Sequence, residues 1–119
     1  MFAAWLVALP AAADPARLLG STRLAKAEND VDVLAFKKCR RGIDSLQLRV
    51  YRGQVEIERL WVRYGNGERE ELVVRDRIAQ GGQTRWIDLR GGERCVQAIG
   101  VIGDTERSSD QARVEIWGR

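Results

Sequence analysis

The sequence predicts an all-β fold: one antiparallel β-sandwich, jelly-roll-like, of seven to eight strands. Three observations predict it. Apolar residues recur at every second position through most of the chain, the spacing of half-buried strands. Glycine pairs and an Asn-Gly step punctuate those runs where a helical protein would carry caps. The length of 119 residues, with 45% hydrophobic and 31% charged content, suits one domain with a packed core and excludes a disordered tail.

The first residues read separately. Phe2 to Leu9 is apolar throughout, Pro10 follows, and Ala11-Ala12-Ala13 supplies small residues. An apolar run of about eight, a helix breaker and an A-x-A triplet form the pattern of a cleavable secretory signal peptide. A membrane span would need about 20 residues. The expected organisation is a signal peptide over 1–13 and a β-sandwich domain over 14–119, delivered to the periplasm or secreted. No Lys or Arg precedes the run, which fits a start assigned downstream of a basic region. A hydrophobic helix docked on the domain is the other reading, and it leaves the cleavage pattern unexplained.

Strands follow in order. Leu18 to Leu24 makes the first, and Val31 to Phe36 alternates and makes the second. Lys37 to Gly42 reads as a charged connection carrying Cys39. In the third, Leu46, Leu48 and Val50 share one face, with Gln47, Arg49 and Tyr51 on the other. Val55 and Ile57 alternate on odd numbers, but Leu60, Val62 and Tyr64 alternate on even ones. That switch near Glu58 and Arg59 predicts a β-bulge. Asn66-Gly67 predicts a type I′ hairpin leading into Glu68 to Val74. Arg75 to Gly82 reads as a loop, Gln83 to Leu89 as a strand, and Gly91-Gly92 as a turn. Arg94 to Gly103 is apolar on both faces, as a central, sandwiched strand requires. Asp104 to Gln111 is a polar loop, and Ala112, Val114 and Ile116 mark the last strand.

Export makes the two cysteines a pair. Cys39 and Cys95 are the only thiols, and an oxidising compartment favours a disulfide. Two cysteines without any histidine do not complete a structural zinc site.

Chemistry is sparse. The chain has no His, which removes the commonest general base and the commonest metal ligand. Ser108-Ser109-Asp110 lacks a base beside the serines and reads as loop hydrogen bonding. Glu56 and Glu58 are parallel neighbours on one strand, and no calcium loop string occurs. Gly81-Gly82 and Gly91-Gly92 lack the Lys-Ser/Thr ending of a phosphate loop. The expectation is therefore no catalytic residue, no metal, no cofactor and no enzyme.

A basic-aromatic face remains. Net charge is +3, and 17 of the 20 basic residues are Arg. That bias reads either as codon usage or as a polyanion-facing surface. Strand alternation aims Arg59, Trp61 and Arg63 away from Leu60 and Val62. Trp86 lies opposite Ile87 and Leu89. Exposed aromatics stack on sugar rings, while Arg grips carboxylate or phosphate. The structural alternative is Trp packed under Arg stems.

Leu18-Leu19-Gly20, Cys39-Arg40, Thr84-Arg85-Trp86-Ile87, Arg94-Cys95-Val96, Gly103-Asp104-Thr105 and Ser108 to Ala112 form an ordered set. In that order they resemble the small exported bacterial proteins of domain of unknown function family 2541. The resemblance implies a periplasmic or secreted β-sandwich and carries no activity, cofactor or catalytic residue. The expected function is a monomeric, non-catalytic binding module for envelope glycan or polyanion, neither binding nucleic acid nor spanning a membrane. The alternative is a protein-interaction module, such as a periplasmic inhibitor or accessory subunit.

Overall fold

The computed structural model describes residues 15–25, 30–105 and 111–119. The expected signal peptide and the Ser108-Ser109-Asp110 cluster lie outside the described residues. Among the described residues eight strands follow in order: β1 (Arg17–Ala25), β2 (Asp30–Ile43), β3 (Ser45–Val50), β4 (Val55–Tyr64), β5 (Arg69–Ile78), β6 (Ile87–Asp88), β7 (Arg94–Asp104) and β8 (Gln111–Gly118). They form two four-stranded sheets, ordered β1-β8-β3-β6 and β2-β7-β4-β5, with every pairing antiparallel. That is the strand order of an eight-stranded jelly roll, in which successive strands alternate between sheets except at the β4-β5 hairpin. No helix occurs among the described residues, and so none there crosses a membrane.

Alternation decides the core. Leu46, Leu48 and Val50 of β3 meet Ile57, Leu60 and Val62 of β4 in one cluster, with Val114 and Ile116 of β8 and Ile99 and Val101 of β7. All are at most 1% exposed, so each forfeits nearly all its contact with water. At about 25 cal/mol per Å² of apolar surface, burial on that scale is the main driving force for the fold. The central strand β7 is buried on both faces at Ala98, Ile99, Val101 and Ile102, as its uninterrupted apolar run requires.

The parity switch in β4 is a register shift between Ile57 and Arg59 in both of its pairings. It lets Ile57 and Leu60 both face inward despite odd and even numbering. Opposite it, Arg75 takes a positive φ of 44°.

Four details differ from the sequence reading. Lys37 to Gly42 is part of β2, because Arg40 pairs with Val96 and Ile43 with Arg94 beyond two register shifts. The Gln97 side-chain amide donates to the Phe36 carbonyl, replacing a ladder bond inside that irregular stretch. The second difference is the Asn66-Gly67 turn: only Gly67 has positive φ, so the hairpin is not type I′. Gly67 N–H donates to the Tyr64 carbonyl at 2.9 Å and Tyr64 N–H to Glu68 at 2.8 Å. That is a three-residue loop closed by a left-handed glycine. Third, β5 runs on to Ile78, where a loop from Arg75 was expected.

Fourth, Gln83 to Leu89 is a single bridge at Gln83 and the two residues of β6. Thr84 explains the break. Its N–H donates to Leu48, but its hydroxyl, not a carbonyl, accepts the Leu48 N–H at 3.0 Å. The hydroxyl also donates to the Arg85 carbonyl at 2.7 Å.

Cys39 and Cys95 are joined, with Cα atoms 5.3 Å apart. The bridge ties β2 to β7 within one sheet, where their register is irregular. Cys95 opens its strand, but Cys39 lies near the end of β2. Gly65 packs on the bridge: its N–H donates to Cys95 at 2.9 Å, and a Cβ there would stand 2.9 Å from Cys39 Sγ.

Candidate functional site

β4 carries Arg59, Trp61 and Arg63 on the outer face of the β2-β7-β4-β5 sheet. Leu60 and Val62 point inward and are fully buried, so pleating sends their neighbours out. Arg59 and Arg63 are exposed and form no ion pair among the described residues. Trp61 is half-buried, since it lies down on the sheet. Its cross-strand partner on β7 is Gly100. A Cβ at Gly100 would fall 2.6 Å from Trp61 Cζ2 and closer still to Cε2 and Nε1. The missing side chain is the seat of the ring. The Arg69 guanidinium lies 4.7 Å over the same ring and 3.7 Å from Glu71. Around this group the face is apolar: Val33 pairs with Gly100, Val31 with Ile102, and Val73 with Arg59. Those valines are 47–62% exposed.

Trp86 is not part of that surface. It precedes Ile87, which is buried opposite Leu46 of β3, and so belongs to the other sheet. The Arg119 guanidinium lies 4.2 Å over its ring. A second pair sits on that sheet, with Arg49 4.0 Å over Trp117. Trp117 Nε1–H donates to Glu115 at 3.1 Å, Arg49 Nε–H to Gln47 at 3.0 Å, and Gln47 Nε2–H to the Thr84 carbonyl at 3.0 Å. The four residues singled out from sequence thus divide between two outer faces: Arg59, Trp61 and Arg63 on one, Trp86 on the other.

Arginine over a ring is the recurrent contact of this protein. Arg40 lies over Phe36 and Arg94 over Tyr64 as well, so five of the six aromatic rings among the described residues carry a guanidinium. Proteins show roughly one significant cation–π pair per 70–80 residues. The excess of Arg over Lys has a structural use here, because a planar guanidinium stacks where an ammonium does not.

The Tyr64 cluster clamps the hairpin. Tyr64 hydroxyl donates to Glu70 at 2.5 Å, the Arg90 N–H donates to the same carboxylate at 3.0 Å, and Arg94 pairs with Glu68 at 2.8 Å. Burial, then the Glu70 bond, pushes the Tyr64 hydroxyl well above the usual phenol range. The Arg94 hydrogen bond holds the Glu68 carboxyl below the usual carboxylate range. Among the described residues no three His, Cys, Asp or Glu gather as a metal ion requires.

Fold and surfaces together define a disulfide-tied jelly-roll sandwich whose exposed chemistry is arginine laid on aromatic rings. The chain belongs to the family described as "Domain of unknown function (DUF2541)", whose model matches residues 1–118. It is similar to the UPF0412 protein YaaI of Salmonella typhimurium, of Salmonella enteritidis and of Salmonella newport. Each is 27% identical over 107 residues, covering 86% of this chain and 79% of the relative. No solved structure matches the chain.

Proposed function

We propose that the protein is a non-catalytic binding module of the bacterial envelope that holds an anionic glycan or similar polyanion on the outer β2-β7-β4-β5 face. One observation carries the reading: two unpaired arginines, Arg59 and Arg63, flank a tryptophan laid flat on the sheet. Arg69 completes the set. Its guanidinium rests on the Trp61 ring, and a carboxylate or phosphate draws it away by charge-assisted bonding. The uncovered ring then accepts a sugar face. Trp86 serves a separate contact on the opposite face.

Titration with an acidic polysaccharide over a range of salt tests this. Affinity should fall as salt rises, because exposed charges are screened within about 8–10 Å. Arg59→Ala with Arg63→Ala should flatten the salt dependence, and Trp61→Ala should weaken binding at temperatures where the variant stays folded. Equal affinity of all three proteins would sink the glycan reading. Exposed Val31, Val33 and Val73 on the same face favour a second reading, a protein partner. Pull-down from an envelope extract, with glycan fractions run in parallel, separates the two.

A further inference from the structure

The structure assigns an oxyanion site, for phosphate or sulfate, to a cleft on the other sheet framed by Arg23, Arg52 and Arg113. The cleft has a volume of about 150 Å³, and Ala112 completes its lining. Three features converge. First, Arg23 of β1 and Arg113 of β8 are direct cross-strand partners. Like charges in that position repel, so the pairing is unfavourable unless something anionic lies between them. Second, the β3–β4 turn brings Arg52 to the same place. Tyr51 N–H donates to the Arg113 carbonyl at 3.0 Å, and Gly53, at φ 76°, has its N–H bonded to Gln80 at 3.1 Å. The turn is thus fastened to β8 beside Arg113 and to the segment that follows β5.

Third, two of these three guanidiniums are spare. Arg40, Arg49, Arg69, Arg94 and Arg119 cover rings. Arg23 and Arg52 meet neither ring nor carboxylate among the described residues. Arg113 has one lateral partner, Glu115 at 3.6 Å, and Glu115 already accepts from Trp117. Three planar forks around one small cleft match the several oxygens of a tetrahedral oxyanion, which accepts bidentate bonds from each. The chemistry is shared by the free ion and by a phosphate or sulfate borne on a polymer. The site is independent of Trp61, which lies on the opposite sheet.

Thermal melting and isothermal titration with inorganic phosphate, against chloride at matched ionic strength, test the assignment. Phosphate should raise the melting temperature saturably. Arg23→Gln and Arg52→Gln should each weaken phosphate binding by about tenfold or more, the loss expected for charged hydrogen bonds. Without phosphate, Arg23→Gln should melt no lower than the parent, because it removes a repulsion. Titration with a phosphorylated polysaccharide identifies the source: tighter binding per phosphate assigns the polymer-borne group, and equal binding the free ion. A phosphate effect no larger than that of chloride, or one retained in Arg23→Gln, overturns the site.

Discussion

Replacing Gly100 with alanine separates two forces of opposite sign. Glycine in a strand interior costs about 0.5–1 kcal/mol relative to alanine, so the substitution alone should stabilise the protein. Gly100 is not among the positive-φ residues, and its backbone accepts a side chain. The obstacle is Trp61. A methyl at Gly100 would stand 2.6 Å from Cζ2, whereas carbon atoms rest at about 3.5–4.0 Å. The ring must rise by about 1 Å or more, lifting off β7 and displacing Arg69. Overpacking of that kind costs typically 1–3 kcal/mol, which outweighs the entropic gain. Gly100→Ala should therefore destabilise by about 1–2 kcal/mol in urea denaturation. In a Trp61→Ala background the same change should be neutral or stabilising. The double-mutant cycle should thus return a coupling of about 2 kcal/mol, within the range for residues in direct contact. A Gly100→Ala protein as stable as its parent, with no coupling to Trp61, would refute the seating of the ring.

Other outcomes follow from the same contacts. Non-reducing mass spectrometry should find Cys39 linked to Cys95; with a sequence separation of 56, loop-closure entropy makes the bridge worth about 4 kcal/mol, so Cys95→Ala should lower the denaturation midpoint sharply. Thr84→Val leaves the Leu48 N–H buried without its acceptor and should cost about 1–3 kcal/mol by chemical denaturation. Tyr64 has a folded-state pKa above its unfolded value of about 10, so the neutral hydroxyl stabilises the fold below that pH. That stability should drain away as pH rises beyond about 10, and Tyr64→Phe should remove this part of the alkaline loss in melting curves recorded from pH 8 to 11.

Which parts of the fold were legible follows from where each interaction lives along the chain. Alternation within one strand marked β3 and β8, apolar residues on both faces marked β7, and the parity change at Glu58 and Arg59 marked the bulge, because burial acts on each residue separately. Lys37 to Gly42 is polar, and what makes it a strand is a partner 56 residues away together with a side-chain bond from Gln97. Thr84 gave no hint that its hydroxyl would stand in for a carbonyl. At the surface, the outward set Arg59, Trp61 and Arg63 was readable from pleating alone. Its separation from Trp86 was not, since strand order decides the sheet. Four of the five ring-covering arginines lie 8 or more positions from their rings, so only Phe36 and Arg40 share a local signal.

The jelly-roll order also governs when structure can arise as the chain is made. Of the strand pairings among the described residues, only β4 with β5 joins neighbours in sequence. β8 is the inner strand between β1 and β3, and β7 the inner strand between β2 and β4. Until those two late segments arrive, the earlier strands have only the β4-β5 hairpin and the short β3-β6 pairing to join. Such non-local pairing makes folding slow, because loop closure must precede the contacts that reward it. The β2-β7-β4-β5 sheet has all its strands once β7 is delivered, whereas the β1-β8-β3-β6 sheet waits for the eight-residue β8.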